Sequence, residues 1–205
     1  MVVASFTEPG AQARGGVVAF DSVSGRERWR RALLPLLDIR SPSGATGEPL
    51  VTADAVVAGA QDGTLVGLDP ESGQFRWAIP ALRSHADGRA LGSHDFRPVA
   101  RVGKRLITGS LTGQVVAYDM ETRREQWRAA PVPASVAFGL AADEQTVYVP
   151  FLSGQLVALD AQHGSERWRI GSASAGFVWT PLVSPSRLFV LGSGAGLLSI
   201  IRRID

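Results

Sequence analysis

The sequence predicts an all-β protein, a β-propeller of four-stranded antiparallel blades, and two observations lead to that fold. The first is a motif, Asp-x-x-x-Gly-x-x-x-Trp, that recurs along the 205 residues at intervals of 41 to 50 residues. Repeats of this length are typical of solenoids, propellers and arrays. The second is that each repeat holds short runs of β-branched and aromatic residues between turn residues, without a sustained helical period. Four short strands repeated around an axis form a propeller blade.

The motif occurs in four copies, and we expect its residues to be structural, because a residue present in every unit does not mark a unique site. The Asp closes a turn by accepting backbone N–H groups, the Gly takes the left-handed conformation, and the Trp covers apolar area between blades while its indole N–H finds a carbonyl. Arg123 in the third copy predicts a changed turn or about 1 kcal/mol of strain. The copies are Asp21, Gly25 and Trp29; Asp69, Gly73 and Trp77; Asp119, Arg123 and Trp127; and Asp160, Gly164 and Trp168.

The second unit shows the predicted order of strands A to D within a blade. Its strands are Glu48–Thr52, Ala55–Ala60, Thr64–Leu68 and Gln74–Ala78. A hairpin turn of the Asp-Gly kind separates B from C, and the motif turn separates C from D. In the third unit, strands B to D are predicted at 105–109, 114–118 and 125–128, and in the fourth at 146–151, 155–159 and 166–169.

The end units are incomplete. The first begins at strand B (Val2–Phe6), and the fifth has A (Val178–Leu182), B (Leu188–Gly192) and C (Leu197–Ile201) without D. Since the two ends do not sum to one blade, we expect the C-terminal part of a longer propeller; a small, imperfectly closed ring of five is the alternative. The chain is read as one domain, 1–205, with units at about 1–30, 48–79, 97–129, 136–170 and 178–205.

Composition excludes several function classes. The net charge of +2 and the pI of about 9.6 come from 20 Arg and one Lys without a basic stripe, so we expect no nucleic-acid partner. The absence of Cys excludes disulfides and thiolate metal sites. No run approaches about 20 apolar residues, so direct membrane insertion is not expected. The first residues do not resemble a signal peptide, and the compartment stays open.

The candidate chemistry outside the motif is sparse. The segment Ala81–Arg97 holds His85, Asp87, His94 and Asp95, a weak candidate metal site of nitrogen and oxygen ligands. Their spacing matches no strong template, so a solvated loop is the favoured interpretation. Trp179 could line a central channel, although core packing is favoured, and His163 is taken as an incidental turn residue. The linkers 8–14, 31–47 and 81–97 should emerge on one face, which is our candidate partner surface.

The stretches Leu65–Trp77 and Leu156–Trp168 resemble the pyrroloquinoline-quinone (PQQ)-type propeller repeat with its tryptophan-docking signature, and the resemblance spans about residues 15–202. Such repeats occur in quinoprotein dehydrogenases, in BamB-type outer-membrane assembly lipoproteins and in sensor domains of some bacterial kinases. The ending Gly196–Arg202 is similar to the way in which BamB-type chains end on strand C. The resemblance to BamB-type chains implies a location in the cell envelope or periplasm.

The sequence favours a binding scaffold over an enzyme. Quinoprotein dehydrogenases use adjacent cysteines and a calcium site with amide ligands, whereas this chain has neither Cys nor Asn. No enzyme signature motif is present. We therefore expect a non-catalytic, BamB-like scaffold without a cofactor, which binds a protein partner through the loop-rich face and exposed strand edges. A fragment of a PQQ-dependent oxidoreductase and a ligand-sensing propeller of a signalling protein remain alternatives. Open end blades could also support self-association.

Overall fold

The structure is a computed structural model of the chain, and it consists of β-strands joined by turns. It describes residues 1–8, 14–33, 45–60, 64–80, 99–110, 112–132, 136, 139–171, 176–177, 180–184, 187–191 and 198–202. These residues contain eighteen strands and no helix. The chain divides into two compact units, Met1–Val99 and Ala100–Asp205.

The first unit contains two antiparallel sheets. The sheet of the first repeat has the order β1-β2-β3, and that of the second repeat has the order β4-β5-β6-β7. Their strands are β1 (Val2–Glu8), β2 (Arg14–Phe20), β3 (Glu27–Ala32), β4 (Ala45–Val51), β5 (Val56–Ala60), β6 (Leu65–Leu68) and β7 (Phe75–Ile79).

The second unit continues the series with three sheets, of orders β8-β9-β10-β11, β12-β13-β14-β15 and β16-β17-β18. Their strands are β8 (Val99–Val102), β9 (Arg105–Gly109), β10 (Val115–Asp119), β11 (Glu125–Ala129), β12 (Ala141–Ala142), β13 (Thr146–Pro150), β14 (Gln155–Asp160), β15 (Glu166–Gly171), β16 (Leu182–Val183), β17 (Arg187–Leu191) and β18 (Leu198–Arg202).

The predicted all-β class and the predicted strand order within each repeat are confirmed. Strand A of the fifth repeat was predicted at Val178–Leu182, of which residues 178 and 179 are not described. The prediction was wrong for Thr180 and Pro181, because β16 begins at Leu182. Pro181 precedes it and has no N–H to donate to a ladder. In the inner strand β4, which contains Pro49, the pairing register with β5 shifts between Thr46 and Leu50.

Apolar clusters lie between neighbouring sheets within each unit, because alternate residues of each strand point to opposite faces. In the first unit one cluster combines Val17, Ala19 and Trp29 with Val66 and Leu68 of the next sheet. In the second unit, one cluster joins the third and fourth repeats, and another joins the fourth and fifth. Each sheet is thus buried against a neighbour, as a repeat unit requires.

In each of the four repeats that carry the motif, the outermost strand has a β-bulge. The register shifts between Ala19 and Phe20, Gly67 and Leu68, Ala117 and Tyr118, and Ala158 and Leu159. A bulge inserts one extra residue and re-aims the side chains around it. The motif Trp therefore lies on one face of the sheet, while the residues two positions before it and one position after it lie on the other.

Arg123 occupies the left-handed position of an otherwise unchanged motif turn. Its φ is 58°, and its N–H donates to the Asp119 carbonyl over 2.8 Å, as Gly164 does to Asp160. The turn is thus kept and the strain accepted, at about 1 to 2 kcal/mol for a residue with a Cβ.

We predict that Arg123→Gly stabilises the protein by about 0.5 to 1 kcal/mol. The relief of left-handed strain exceeds the extra backbone entropy that glycine loses on folding. Urea denaturation followed by fluorescence measures the change, and a loss of stability would contradict the strain argument.

Candidate functional site

The motif carboxylates hold their own turns together. Oδ1 of Asp69 accepts hydrogen bonds from the backbone N–H of Glu71 at 3.0 Å and of Ser72 at 2.8 Å, and from the Ser72 hydroxyl at 2.9 Å. Asp21 and Asp119 make the same three bonds to the residues two and three positions on. In the fourth turn, His163 Nδ1 lies 3.1 Å from Asp160 Oδ1 and takes the place of the hydroxyl.

These hydrogen bonds lower the pKa of every motif carboxylate. The backbone N–H of Ser72 is the largest cause for Asp69, whose pKa falls from 3.8 to about 2. The backbone N–H groups of Ser24 and Thr122 lower the pKa of Asp21 and Asp119 in the same way. The guanidinium of Arg167, at 2.7 Å from Oδ2, is the largest cause of the lowered pKa of Asp160. The carboxylates are thus held ionised as acceptors within their turns.

Two motif tryptophans dock on the motif turn of the following repeat. The indole Nε1 of Trp29 donates to the Pro70 carbonyl at 2.9 Å, and that of Trp127 donates to the Ala161 carbonyl at 3.2 Å. A Cβ on Gly73 would lie 2.5 Å from Cε3 of Trp29. Likewise, a Cβ on Gly164 would lie 2.4 Å from Cε3 of Trp127. Both glycines are therefore required by a positive φ and by the ring above them.

The other two motif tryptophans are less buried, and Trp77 is half-buried. Trp77 lies over Gly67 of its own sheet, where an added Cβ would be 2.1 Å from Cε2. Trp168 stays 37% exposed, against 8% for Trp29 and Trp127, and its ring centroid is 5.9 Å from that of Tyr148. The four motif tryptophans thus differ in exposure, which the motif alone does not reveal.

The outer strands β3, β7, β11 and β15 each end their sheet. On three of them a Glu two residues before the Trp pairs with an Arg one residue after it. The N–O distances are 2.8 Å for Glu27 and Arg30, 2.5 Å for Glu125 and Arg128, and 2.5 Å for Glu166 and Arg169. Exposed pairs of this kind add little stability, but charges on an edge oppose unspecific pairing. In β7 the two positions are Phe75 and Ala78, and Phe75 is exposed.

The weak metal candidates His85, Asp87, His94 and Asp95 lie outside the described residues, as does Trp179, and most of the linkers of the proposed loop-rich face lie there too. Among the residues that the structure describes, no group of three or more His, Asp or Glu side chains could hold a metal ion. In the same part of the chain, no helix has the length and apolar character needed to cross a membrane.

We predict that Gly73→Ala destabilises the protein by about 2 to 4 kcal/mol, because the new Cβ is strained by its positive φ and also collides with Trp29. Gly25→Ala is the matched control, since its turn has the same conformation but an added Cβ would meet nothing within 4 Å among the described residues. It should cost about 1 kcal/mol. Urea denaturation measures both, and equal losses would mean that docking contributes nothing.

We predict that the stability of the folded protein declines as the pH falls from about 4 to about 2. The folded pKa of Asp69 is below its usual 3.8, so protonation favours the unfolded chain, and the stabilisation present above that pH is lost on acidification. Asp69→Asn keeps an acceptor oxygen but removes the charge, so its stability should vary less over this range. Urea midpoints measured at several pH values test this; parallel profiles for the two proteins would contradict it.

Known structures with the same arrangement of sheets are propellers. The structure of BamB from Moraxella catarrhalis superposes with a TM-score of 0.66 at 21% identity, over 98% of this chain and 62% of that one. The computationally designed Ika8 protein superposes with a TM-score of 0.68 at 17% identity, over 96% of this chain and 57% of the designed one. The WD40 repeats of RRP9 superpose with a TM-score of 0.63 at 18% identity, over 74% of this chain and 48% of that one. The chain thus spans less than two thirds of each, and these likenesses confirm the predicted β-propeller fold.

Sequence comparison identifies the family. None of the curated proteins matches the chain. The model of the family described as outer membrane protein assembly factor BamB matches residues 1–136 and 111–203, which together span nearly the whole chain. The chain therefore belongs to this BamB family of PQQ-type propeller repeats.

Proposed function

We propose that this protein is a non-catalytic propeller scaffold that binds other proteins through its outer strand edges. The family's description, an outer membrane protein assembly factor, supports a role in protein assembly at the cell envelope. Propeller sheets are rigid because each is packed against its neighbours, and rigid scaffolds with exposed edges suit the addition of a strand from a partner.

The observation that carries the proposal is the exposure of β15. Every residue of this strand is exposed, and it ends its sheet. Trp168 and Ile170 are two residues apart on it and are both accessible to a partner, and Leu152, in the turn between β13 and β14 of the same sheet, is also exposed. Exposed aromatic and aliphatic side chains beside backbone groups at a sheet edge are the features of a protein-binding site.

The hydrogen bonds and ion pairs of the described Asp, Glu and Arg side chains also favour a scaffold over an enzyme. The four motif carboxylates accept hydrogen bonds inside their own turns, and the described arginines of the outer strands are largely paired with them or with neighbouring Glu residues. A general base needs a free carboxylate or imidazole with a pKa near the working pH, whereas the pKa values of these carboxylates are lowered.

We predict that a photo-crosslinking amino acid at Ile170 forms discrete adducts with one or a few proteins in cells of the native host. Glu144, exposed in a turn of the same sheet, provides the matched control position and should form none. Ile170→Arg, which places a charge on the apolar edge, should abolish co-purification of the crosslinked protein. Equal adducts at both positions, or none at Ile170, would contradict binding at this edge.

Calorimetric titration with PQQ and Ca²⁺ tests the catalytic alternative on the same protein. A scaffold should give no heat of binding at micromolar ligand. Saturable binding of PQQ that depends on Ca²⁺ would instead favour the PQQ-dependent oxidoreductase and overturn the non-catalytic assignment.

A further inference from the structure

Two residues depart from the repeat at the same place, between the outer strands of the first and second sheets. Arg31 of β3 stands two positions after its motif Trp, where the other three repeats have Ile or Ala. Phe75 of β7 stands two positions before its motif Trp, where the other three repeats have Glu. The area formed by Arg31, Gly73, Phe75 and Ala78 is called the β3–β7 surface below.

We propose that the β3–β7 surface binds an extended segment of a partner protein in which a carboxylate and an apolar side chain stand two residues apart. The carboxylate pairs with Arg31, and the apolar side chain covers Phe75. The inference rests on the proposed scaffold function and deepens it, because it names a second outer strand and the chemistry of the ligand that this strand binds.

Arg31 reaches from the first sheet to the second. It lies on the same side of β3 as Trp29, which docks on the second motif turn, because residues two apart in a strand point to the same side. The Nε–H group of Arg31 donates to the Gly73 carbonyl at 2.9 Å. The guanidinium is thus held at the end of the turn that leads into β7, although Arg31 is an exposed residue.

Phe75 lies beside this guanidinium on the second sheet. Ala78 is on the same face of β7 and packs against the apolar cluster that joins the first two sheets, so this face is directed towards β3. Phe75 is 53% exposed, and its Cα is at most about 7 Å from that of Gly73, since two residues separate them. The β3–β7 surface thus combines an accessible aromatic ring with a guanidinium, and both side chains are enriched in protein interfaces.

The charge of Arg31 favours an acidic ligand. Three other arginines of the same two strands pair with carboxylates, namely Arg28 with Glu71, Arg30 with Glu27 and Arg76 with Asp69. Within the described part of the chain, the Arg31 guanidinium contacts a neutral carbonyl and no carboxylate. A carboxylate on the ligand therefore supplies the opposite charge, in the charge-assisted pairing to which the planar guanidinium is suited.

The equivalent surface between the third and fourth repeats lacks both features. Arg169 pairs there with Glu166 at 2.5 Å and also donates to the Pro131 carbonyl at 2.9 Å. The guanidinium and the carboxylate satisfy each other at that surface, and Ala129 occupies the position that corresponds to Arg31. Of these two surfaces, the β3–β7 surface is therefore the one at which a ligand carboxylate gains a partner.

The spacing of the ligand side chains follows from strand geometry. Residues two apart in an extended segment point to the same side and are separated by about 7 Å. This separation matches the two-residue step from Gly73, where the guanidinium is held, to Phe75. Since β7 ends its sheet, a segment that lies along it can also pair with the backbone groups of this edge.

The test uses the ¹⁵N-labelled full chain and three acetylated, amidated heptapeptides. The first is Thr-Leu-Thr-Glu-Thr-Leu-Thr, which places an apolar residue two positions from the carboxylate in either chain direction. The second has Gln in place of Glu, and the third has Ser in place of both Leu residues. We expect the first peptide to shift the Nε–H signal of Arg31 and the amide signal of Phe75 with a dissociation constant below about 1 mM. The second and third should each bind more weakly by about threefold or more.

Three variants serve as protein controls, with the amide signal of residue 75 as the readout. Phe75→Glu introduces the residue that the other repeats have and gives Arg31 a partner within the chain, so the variant should fold and lose the response. Arg31→Gln should also lose it. Arg30→Gln is the matched control, because it removes a guanidinium that is already paired on the same strand, and it should keep the response.

No shift at about 2 mM of the first peptide, equal binding of the three peptides, or an unchanged response in Arg31→Gln or Phe75→Glu would overturn the proposal. Equal shifts with acetate alone would assign the surface to small carboxylates, and shifts on raising the protein concentration alone would assign it to a second copy; either result would overturn the proposal too. None of these outcomes bears on crosslinking at Ile170, so the scaffold function fails or stands separately.

Discussion

The docking of a motif tryptophan on the glycine of the next turn is the interaction on which the described packing within each unit depends. A single four-stranded sheet leaves both faces in water, and it gains stability when neighbouring sheets cover them. A buried tryptophan contributes on the order of 150 to 250 Å² of covered area. Trp29 and Trp127 each supply this area across two sheets and fix the separation of the sheets through one hydrogen bond to a carbonyl.

Docking constrains the shape of the motif turn, and the hydrogen bonds of that turn explain why an ionised Asp is present in each copy. The Asp four residues before the glycine holds the loop in a shape that requires a positive φ, and the missing Cβ of the glycine lets the indole approach its backbone. The motif carboxylates, which the sequence alone could suggest as acid–base groups, are engaged in these hydrogen bonds. At Arg123 the turn survives without its glycine, because the Asp119 hydrogen bonds still determine the path of the backbone.

Repetition makes the exceptions informative. Trp168 is more exposed than Trp29 and Trp127, while β7 replaces a Glu–Arg pair by Phe75 and Ala78. Each departure leaves apolar surface where the other repeats have a covered or charged one. Binding surfaces in a repeat protein are therefore found where a unit differs from its neighbours, because the shared residues serve the packing.

The sequence by itself determined the repeat, the β class, most strand positions and the roles expected of Asp, Gly and Trp, because turn residues and the two-residue alternation act locally. It misplaced the start of the fifth inner strand, where Pro181 has no N–H to donate to a ladder. Only the tertiary structure decided which tryptophans are covered and which edge strand is exposed. Those properties depend on what the next sheet supplies across the interface, and a motif repeated four times carries no information about the neighbours of each copy.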